Sequence, residues 1–504
     1  MAATNTTHTT NTSGATDASQ AAQASRGSVA PASDVQGGVF SRELSPGERW
    51  YWIIDQLSTL NVCARVRIEG DVDAGALRDA LGVLQQRHPR LRTAITEPED
   101  GGPGGGPRFA PTGRPIPLRE VHLSDLQPDR WAEEIDTREF TEPIDWRQGP
   151  LARAVLISHP GRVHDLLLTV PHVIADGTTA LSLLRQWVRL AQDTAPPGPG
   201  RGPGRGPDLD LDGVGEGFEP FEALFPEPFR PLPPSEQADA GGQDSEGAAA
   251  DGGGQDSGGG ETQGGAVAGR LTPETFVPFA QRRTRMLHRS LSSEDLQRLT
   301  LACKREGATL HGVLAAALAC AVARDAGAVP GEPFAVGSPL SLRDELARPV
   351  GLDEAGCFVS ALHSVVAQDP GDLWTMARFI KDDLATRKKL GEQYGVFHLL
   401  AAQGPAGTAD SEPFIRYFEE HGPFNFFVSN IGRFDFPDTA GTWRLSQAQF
   451  VGGISVVGYL GSSVTTSQGQ LSWNFTYIDH AVSAQRAERI ADDTLALVHA
   501  ATNP

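Results

Sequence analysis

Cysteine is scarce: Cys63, Cys303, Cys320 and Cys357 are the only four in 504 residues, far apart and with no C-x-x-C pair. That excludes a zinc ribbon and argues against a disulfide scaffold. Each sits beside apolar residues, so all four are expected to be small buried hydrophobes. Cations are also short, with 43 Lys and Arg against 63 Asp and Glu and a formal net charge of −20. General binding of nucleic acid or of an anionic membrane would need a basic footprint, and is not expected. No apolar run reaches the ~18 residues of a membrane span. The opening MAATNTTHTTNTSG has neither the basic nor the apolar region of a secretory signal. The expectation is a soluble, cytoplasmic protein.

What is plentiful is glycine (57) and proline (37), and both are clustered. Residues 1–40 are mostly Thr, Ser, Ala, Asn and Gly, which bury too little surface to offset ordering entropy, so a disordered tail is expected. Residues 196–279 are read as a Pro/Gly-rich flexible link between two folded halves, 41–195 and 280–504. Inside the link, FEPFEALFPEPFRPLPP (218–234) has the aromatics and prolines of an extended strap that packs onto a folded surface.

The first half opens with Ser45-Pro46-Gly47-Glu48, an N-cap Ser, an N1 Pro and an N3 Glu, the pattern of a capping box. A half-buried strand is predicted over Val62–Glu69 and a helix over Ala74–Gln86. Val163–Val170 reads as a largely buried strand. After a short loop, Thr178–Leu190 reads as a helix with Leu181, Leu184 and Val188 on one face. In the second half, Ser292 and Thr309 are expected to cap two helices, the latter with an apolar stripe through Leu310, Val313, Leu314, Ala317, Leu318 and Ala321. Strands are predicted at 333–338, 357–366, 424–429, 452–460 and 470–477, and a last helix at 483–499. Strands and helices alternate in both halves, which points to two α/β lobes rather than a barrel or a bundle.

The segment Pro171-His172-Val173-Ile174-Ala175-Asp176-Gly177-Thr178 is the strongest functional signal. A strand delivers a histidine into a loop, and Asp-Gly then opens a helix. A histidine held there has a pKa suited to general-base work near neutral pH. The same pattern also fits a satisfied structural histidine followed by an aspartate N-cap. Half a metal site is a third reading, but no second His or carboxylate cluster stands nearby in sequence, so no metal is expected.

With its neighbours, this segment resembles the core of the HHxxxDG motif of the condensation-domain and acyltransferase superfamily, which includes chloramphenicol acetyltransferase. Four further stretches agree in order. Leu44-Ser45-Pro46-Gly47-Glu48-Arg49-Trp50 is similar to the first helix motif. Arg87-His88-Pro89-Arg90-Leu91-Arg92-Thr93 resembles RHExLRT, and Gly149-Pro150-Leu151-Ala152-Arg153 resembles GPLxR. Gly337-Ser338-Pro339-Leu340-Ser341-Leu342-Arg343, followed by Gly356-Cys357-Phe358-Val359-Ser360, resembles the arginine motif and the GxFVN-like segment. Phe427-Val428-Ser429-Asn430-Ile431-Gly432-Arg433 looks like the SNxGR stretch of stand-alone ester-forming members, such as polyketide-associated mycocerosyl transferases and fungal alcohol acetyltransferases. The DFGWG of plant-type members is missing. Pro171 replaces the first histidine of the pair, which in the family is mainly structural.

The resemblance implies an α/β (α+β) fold of two chloramphenicol-acetyltransferase-like lobes arranged as a V around a central tunnel. It implies a monomeric acyltransferase with no bound cofactor. Its donor would be an acyl-CoA or an acyl-phosphopantetheine on a carrier protein, and its acceptor a small alcohol or amine. His172 would be the general base, attack would be direct without an acyl-enzyme, and the Gly177 N–H would be an oxyanion donor, joined by Ser429 or Asn430 from the other lobe. Asp176 would pair with Arg343 and hold the loop. A stand-alone condensation enzyme forming an amide, or a catalytically silent recruitment domain, are the alternatives. Arg282-Arg283-Thr284-Arg285 and Arg387-Lys388-Lys389 are candidate basic docking patches for an acidic carrier, or merely solvated faces.

Overall fold

The computed structural model describes residues 41–97, 106–194, 218–231 and 268–502. The expected tail at 1–40, and the link apart from 218–231 and 268–279, lie outside the described residues.

Two six-stranded mixed sheets organise the chain. In the first, the strand order is Thr439–Ala440, Trp443–Gly452, Asn61–Glu69, Val163–Pro171, Arg153–His159 and Leu118–His122. In the second it is Val359–Ala367, Pro333–Ser341, Phe426–Arg433, Leu460–Ser467, Gln470–Ile478 and Thr284–Leu291. A small three-stranded sheet joins Arg42–Glu43, Arg108–Pro111 and Thr93–Thr96. Each large sheet is covered by helices and has its own apolar core. Leu166, Leu168 and Val170 meet Leu181, Leu184 and Val188 in one core, and Val313, Leu314 and Ala317 meet Val336, Val464 and Trp473 in the other. These two helix-covered sheets make the chloramphenicol-acetyltransferase-like α/β fold that the sequence motifs imply.

Local chemistry explains why these segments start where they do. The Ser45 side chain accepts the Glu48 N–H while the Glu48 carboxylate accepts the Ser45 N–H, so the capping box opens the helix Pro46–Leu57. Ser292 and Thr309 cap Ser293–Arg305 and Leu310–Asp325 through the N–H groups of Asp295 and Gly312. Asp176 caps Gly177–Thr194 by accepting the Thr179 N–H at 2.7 Å.

One predicted strand is misplaced. Residues 452–460 were expected to be extended throughout, but the strand Trp443–Gly452 ends there and Leu460–Ser467 begins only at the far limit. Between them the chain leaves the first sheet and enters the second. Gly453 passes close to the backbone of Asn61, and Ser455 takes a positive φ of 45°. Alternating apolar residues here cover a crossing rather than a strand face, and the C-terminal half thereby lends two strands to the N-terminal sheet.

The strap is present. Over 218–231 it forms two short 3₁₀ turns, Phe221–Leu224 and Glu227–Phe229. Phe221 and Phe225 are buried among Leu342, Leu346, Phe358, Tyr394 and Phe397. The Glu222 carboxylate accepts the Gly47 N–H at 2.7 Å, so the strap also holds the start of the first long helix.

Candidate active site

His172 leaves the strand Val163–Pro171 where that strand runs out of partners. Pro171 pairs with Asn61, and the His172 N–H is then taken by the Leu60 carbonyl at 2.9 Å. A turn closed by the Ile174 N–H on the Pro171 carbonyl brings the chain to Asp176 and the helix. This short, bonded loop sets the imidazole at the wall of a cavity of about 430 Å³ between the two sheets.

Two side chains hold the ring. The Tyr51 ring lies parallel to it, with centroids 4.6 Å apart and an interplanar angle of 5°. Cys357 Sγ stands 3.4 Å from its Nδ1. A bond from the ring to the residue's own backbone, together with the Asp176 charge, favours the protonated form, yet burial outweighs both and pushes the imidazole below its ordinary range. The lowered pKa favours a neutral ring at neutral pH, and Nδ1 is the nitrogen that meets the Cys357 sulfur.

The Asp176 carboxylate is taken up by backbone N–H groups. Besides capping the helix, its carboxylate accepts the Phe358 N–H at 2.9 Å. Its own N–H and the Thr179 hydroxyl both donate to the Gly356 carbonyl, at 3.3 and 2.6 Å. Arg343 reaches Asp176 at only 3.9 Å. Its short bonds go to the Thr179 hydroxyl at 2.6 Å and the Gly351 carbonyl at 2.6 Å, and it packs over the Phe358 ring. The expected ion pair is thus a long one inside a larger knot, and Thr179, which the motif reading passed over, lies between its members.

Gly177 opens the helix and lines the cavity. The first N–H groups of a helix have no intrahelical acceptor, so its end of the cavity presents donors to incoming negative charge. Ser429 and Asn430 line the same cavity from the strand Phe426–Arg433, although Asn430 Oδ1 is occupied by the Gly432 N–H at 2.8 Å. The five residues His172, Asp176, Gly177, Ser429 and Asn430 therefore all border one cavity, while Arg343 stands behind it. The remaining wall is mostly apolar and includes Trp50, Phe397, Phe418, Phe424, Phe427 and Phe450.

Sequence reasoning missed Tyr51, Cys357 and Phe450 as site residues. Tyr51 sits in an apolar run that reads as core. Cys357 is buried as expected, but against the histidine rather than in a hydrophobic core. Burial pushes its thiol well up, with the Asp176 charge adding to the effect, so it is no thiolate nucleophile.

The two basic runs are largely neutralised. Arg282 is buried against Glu419 at 2.6 Å, and Arg285 pairs with Asp136 at 2.9 Å. Arg387 pairs with Asp383 and Glu392, and Lys388 with Glu345. Among the described residues no group of three or more His, Cys, Asp or Glu is placed to hold a metal ion, and no single helix is long and apolar enough to cross a membrane.

Comparison with known proteins agrees with this architecture. Residues 35–194 match the condensation domain family, and residues 280–442 match the phthiocerol/phthiodiolone dimycocerosyl transferase C-terminus. Surfactin synthase subunit 2 of Bacillus subtilis is 30% identical over 162 residues, which is 31% of this chain and 4% of that protein. Phosphinothricin tripeptide synthetase PhsC of Streptomyces viridochromogenes is 38% identical over 157 residues, 28% of this chain and 13% of that protein. The chain thus spans only a small part of the curated relatives it matches. Among solved structures, the condensation domain of the Monacolin K polyketide synthase superposes with a TM-score of 0.60 at 14% identity, covering 92% of this chain and 98% of that one. Polyketide synthase associated protein 5 from Mycobacterium tuberculosis superposes with a TM-score of 0.56 at 18% identity, covering 92% and 98%.

Proposed function

We propose that this chain, which belongs to the condensation-domain superfamily through matches in both of its halves, is an acyltransferase of natural-product biosynthesis with His172 as its general base. The observation that carries the reading is the placement of His172. A neutral imidazole with one nitrogen engaged borders a largely apolar cavity between two lobes, next to a helix N-terminus.

In this reading the donor is an acyl thioester, on CoA or on the phosphopantetheine arm of a carrier protein. Nε2 of His172 takes the proton of an acceptor hydroxyl or amine as its oxygen or nitrogen attacks the thioester carbonyl. The new bond forms and the carbonyl oxygen becomes an oxyanion. The Gly177 N–H, Ser429 and Asn430 are the candidate donors to it. Collapse breaks the C–S bond, and the imidazolium returns its proton to the leaving thiolate. Nothing is covalently attached to the protein at any stage. Asp176 and Arg343 keep the loop in place and take no proton.

The match of the C-terminal half to the dimycocerosyl transferase family favours an ester product. The similarity of the N-terminal half to peptide synthetases supports the second reading, amide formation between carrier-bound substrates. The test is free-thiol release from a panel of acyl-CoA and acyl-carrier thioesters with pooled alcohols and amines, with product masses recorded. Acceptor-dependent release by the wild type that disappears in His172→Ala is the expected result, and the mass separates ester from amide. Equal release by the two proteins would overturn the base assignment.

A further inference from the structure

We propose that Arg282, Glu419 and Tyr459 form the polar end of the cavity and select a substrate whose apolar body ends in a neutral hydrogen-bonding group, a hydroxyl or a primary carboxamide. The inference rests on the reading of this cavity as the seat of an acyl-transfer substrate, and its readout does not depend on turnover.

Three elements bring these side chains together. Glu419 comes from the helix Glu412–His421, where Ile415, Phe418 and Glu419 share one face and all line the cavity. Arg282 precedes the strand Thr284–Leu291, and Tyr459 ends the crossing that leads to Leu460–Ser467. Glu419 Oε1 accepts from Arg282 Nη2 at 2.6 Å and from the Tyr459 hydroxyl. Burial and this bond push the Tyr459 hydroxyl up to about 12, so it stays a donor. The ion pair is braced from behind. Arg282 Nε donates to the Val277 carbonyl at 3.1 Å, and its guanidinium carbon lies 4.6 Å from the centre of the Phe279 ring. Arg270 donates to the carbonyls of Glu419, Gly422 and Glu420 at 3.2, 2.8 and 2.9 Å, which fixes the end of the helix.

All three residues line the cavity, yet their mutual bonds do not use them up. Among the described residues, Arg282 Nη1 and Glu419 Oε2 have no hydrogen-bond partner. Arg282 is only 1% exposed, so solvent does little for it. Leu60, Ile415, Val456 and Phe279 belong to one apolar cluster, which runs from the residue that takes the His172 N–H to the ring beneath the guanidinium. A substrate that fills the cavity with its reacting group at His172 therefore lays an apolar body against this cluster and brings its far end to the ion pair. The pair is neutral as a whole. A carboxylate end would meet Glu419, an ammonium end would meet Arg282, and each must also shed its water. A methyl end would leave Nη1 and Oε2 dry. A hydroxyl or a carboxamide offers an acceptor to the first and a donor to the second, so it completes both.

The experiment measures binding to the full chain by calorimetry. One arm uses S-octyl pantetheine thioethers, which carry no thioester carbonyl and cannot be turned over, with a methyl, hydroxyl, carboxamide, carboxylate or ammonium tip. The other arm uses octanol and its ω-hydroxy and ω-carboxamide relatives. Hydroxyl and carboxamide tips are expected to bind about tenfold tighter than the methyl tip, and the two charged tips no tighter than it. A preference confined to one arm supports the proposal and says whether donor or acceptor reaches the pair. Glu419→Gln releases Arg282 from its carboxylate and should turn the preference toward the carboxylate tip by about tenfold. A side chain that only held the fold would not redirect selectivity. The wild-type ranking stands on its own should this variant fail to fold. Equal affinity of methyl and hydroxyl tips in both arms, absence of binding included, overturns the proposal, as does a folded Glu419→Gln with the wild-type order. Loss of turnover in His172→Ala with no tip preference sinks the polar end alone, whereas a tip preference with normal turnover in His172→Ala keeps it and sinks the base assignment.

Discussion

The Asp176 carboxylate accepts the Phe358 backbone N–H at 2.9 Å, a bond between the loop of the first half and the residue just before the strand Val359–Ala367 in the second. The same carboxylate caps its own helix at Thr179. With both residues buried, this carboxylate ties the histidine loop to the opposite lobe more directly than Arg343 does. Asp176→Ala should therefore act first on structure. It strips acceptors from two buried N–H groups and leaves Arg343 without its nearby carboxylate, a loss of about 3–5 kcal/mol by analogy with broken buried pairs. Denaturant unfolding checks the magnitude. Asp176→Asn, which keeps one acceptor oxygen, should lose less, and equal stability of all three proteins would contradict the latch.

Asp55 carries the clearest pH dependence. It is buried at the end of the helix Pro46–Leu57, and burial pushes its carboxyl up to about 6, even though the Leu60 N–H at 2.6 Å and the Arg153 charge pull the other way. A raised folded pKa means that the folded state holds the proton more tightly than the unfolded chain, whose value is 3.8. The penalty for burying the charge is absent below the unfolded value, grows between it and about 6, and is complete above that. Asp55→Asn keeps an acceptor for Leu60 and removes the charge. It should stabilise the protein by about 2–3 kcal/mol at pH 8 and leave it unchanged near pH 4. Thermal melts across that range test it, and a destabilised Asn variant at pH 8 would refute the assignment. The Leu60 carbonyl receives the His172 N–H, so the same residue is one step from the site.

The strap gives a test of how the link contributes. Phe225 is fully buried against Tyr394 and Phe397, and Phe397 is itself part of the cavity wall. Phe225→Ala should cost about 3–5 kcal/mol and should loosen Phe397 with it. Denaturation, together with turnover measured well below the new midpoint, separates the stability loss from the effect on the cavity. Full stability in this variant would show that the strap is dispensable.

Much of this was legible in the sequence because short-range chemistry dictated it. The capping residues Ser45, Ser292 and Thr309, the buried strand into His172 and the helix after Asp176 follow from local rules. The aromatic strap was also visible, since its phenylalanines have no other place to go than an apolar surface. Contacts between distant segments were not legible. Nothing near Trp443 says that its strand will pair with Asn61–Glu69, and nothing near Tyr51 says that its ring will meet a histidine far along the chain. A cysteine beside apolar residues looks the same whether it faces a core or Nδ1 of His172. The Asp176–Arg343 pair shows the intermediate case. Motif resemblance brought the two residues together, while the short bonds of each run to Thr179 and to backbone groups that carry no sequence signature.

Gly177 is the sharpest test of the cavity's geometry. Its φ lies outside the left-handed region, so the backbone does not demand glycine. Space does: a Cβ there would sit 2.5 Å from the ring of Phe450, which is itself buried in the cavity wall. Gly177→Ala keeps the N–H, so any loss must come from displacement of the helix start or of Phe450 rather than from a missing donor. Turnover should fall on the order of tenfold or more, since small misplacements of positioned groups are costly. Adding Phe450→Leu makes room for the methyl group and should return part of that loss, while Phe450→Leu alone should do little beyond a modest loss of stability. If Gly177→Ala turns over like the wild type, the close seat of glycine against phenylalanine is not needed for the chemistry. If the double variant folds normally but stays inactive, the loss is not steric, and the helix start has a function that its backbone N–H alone does not supply.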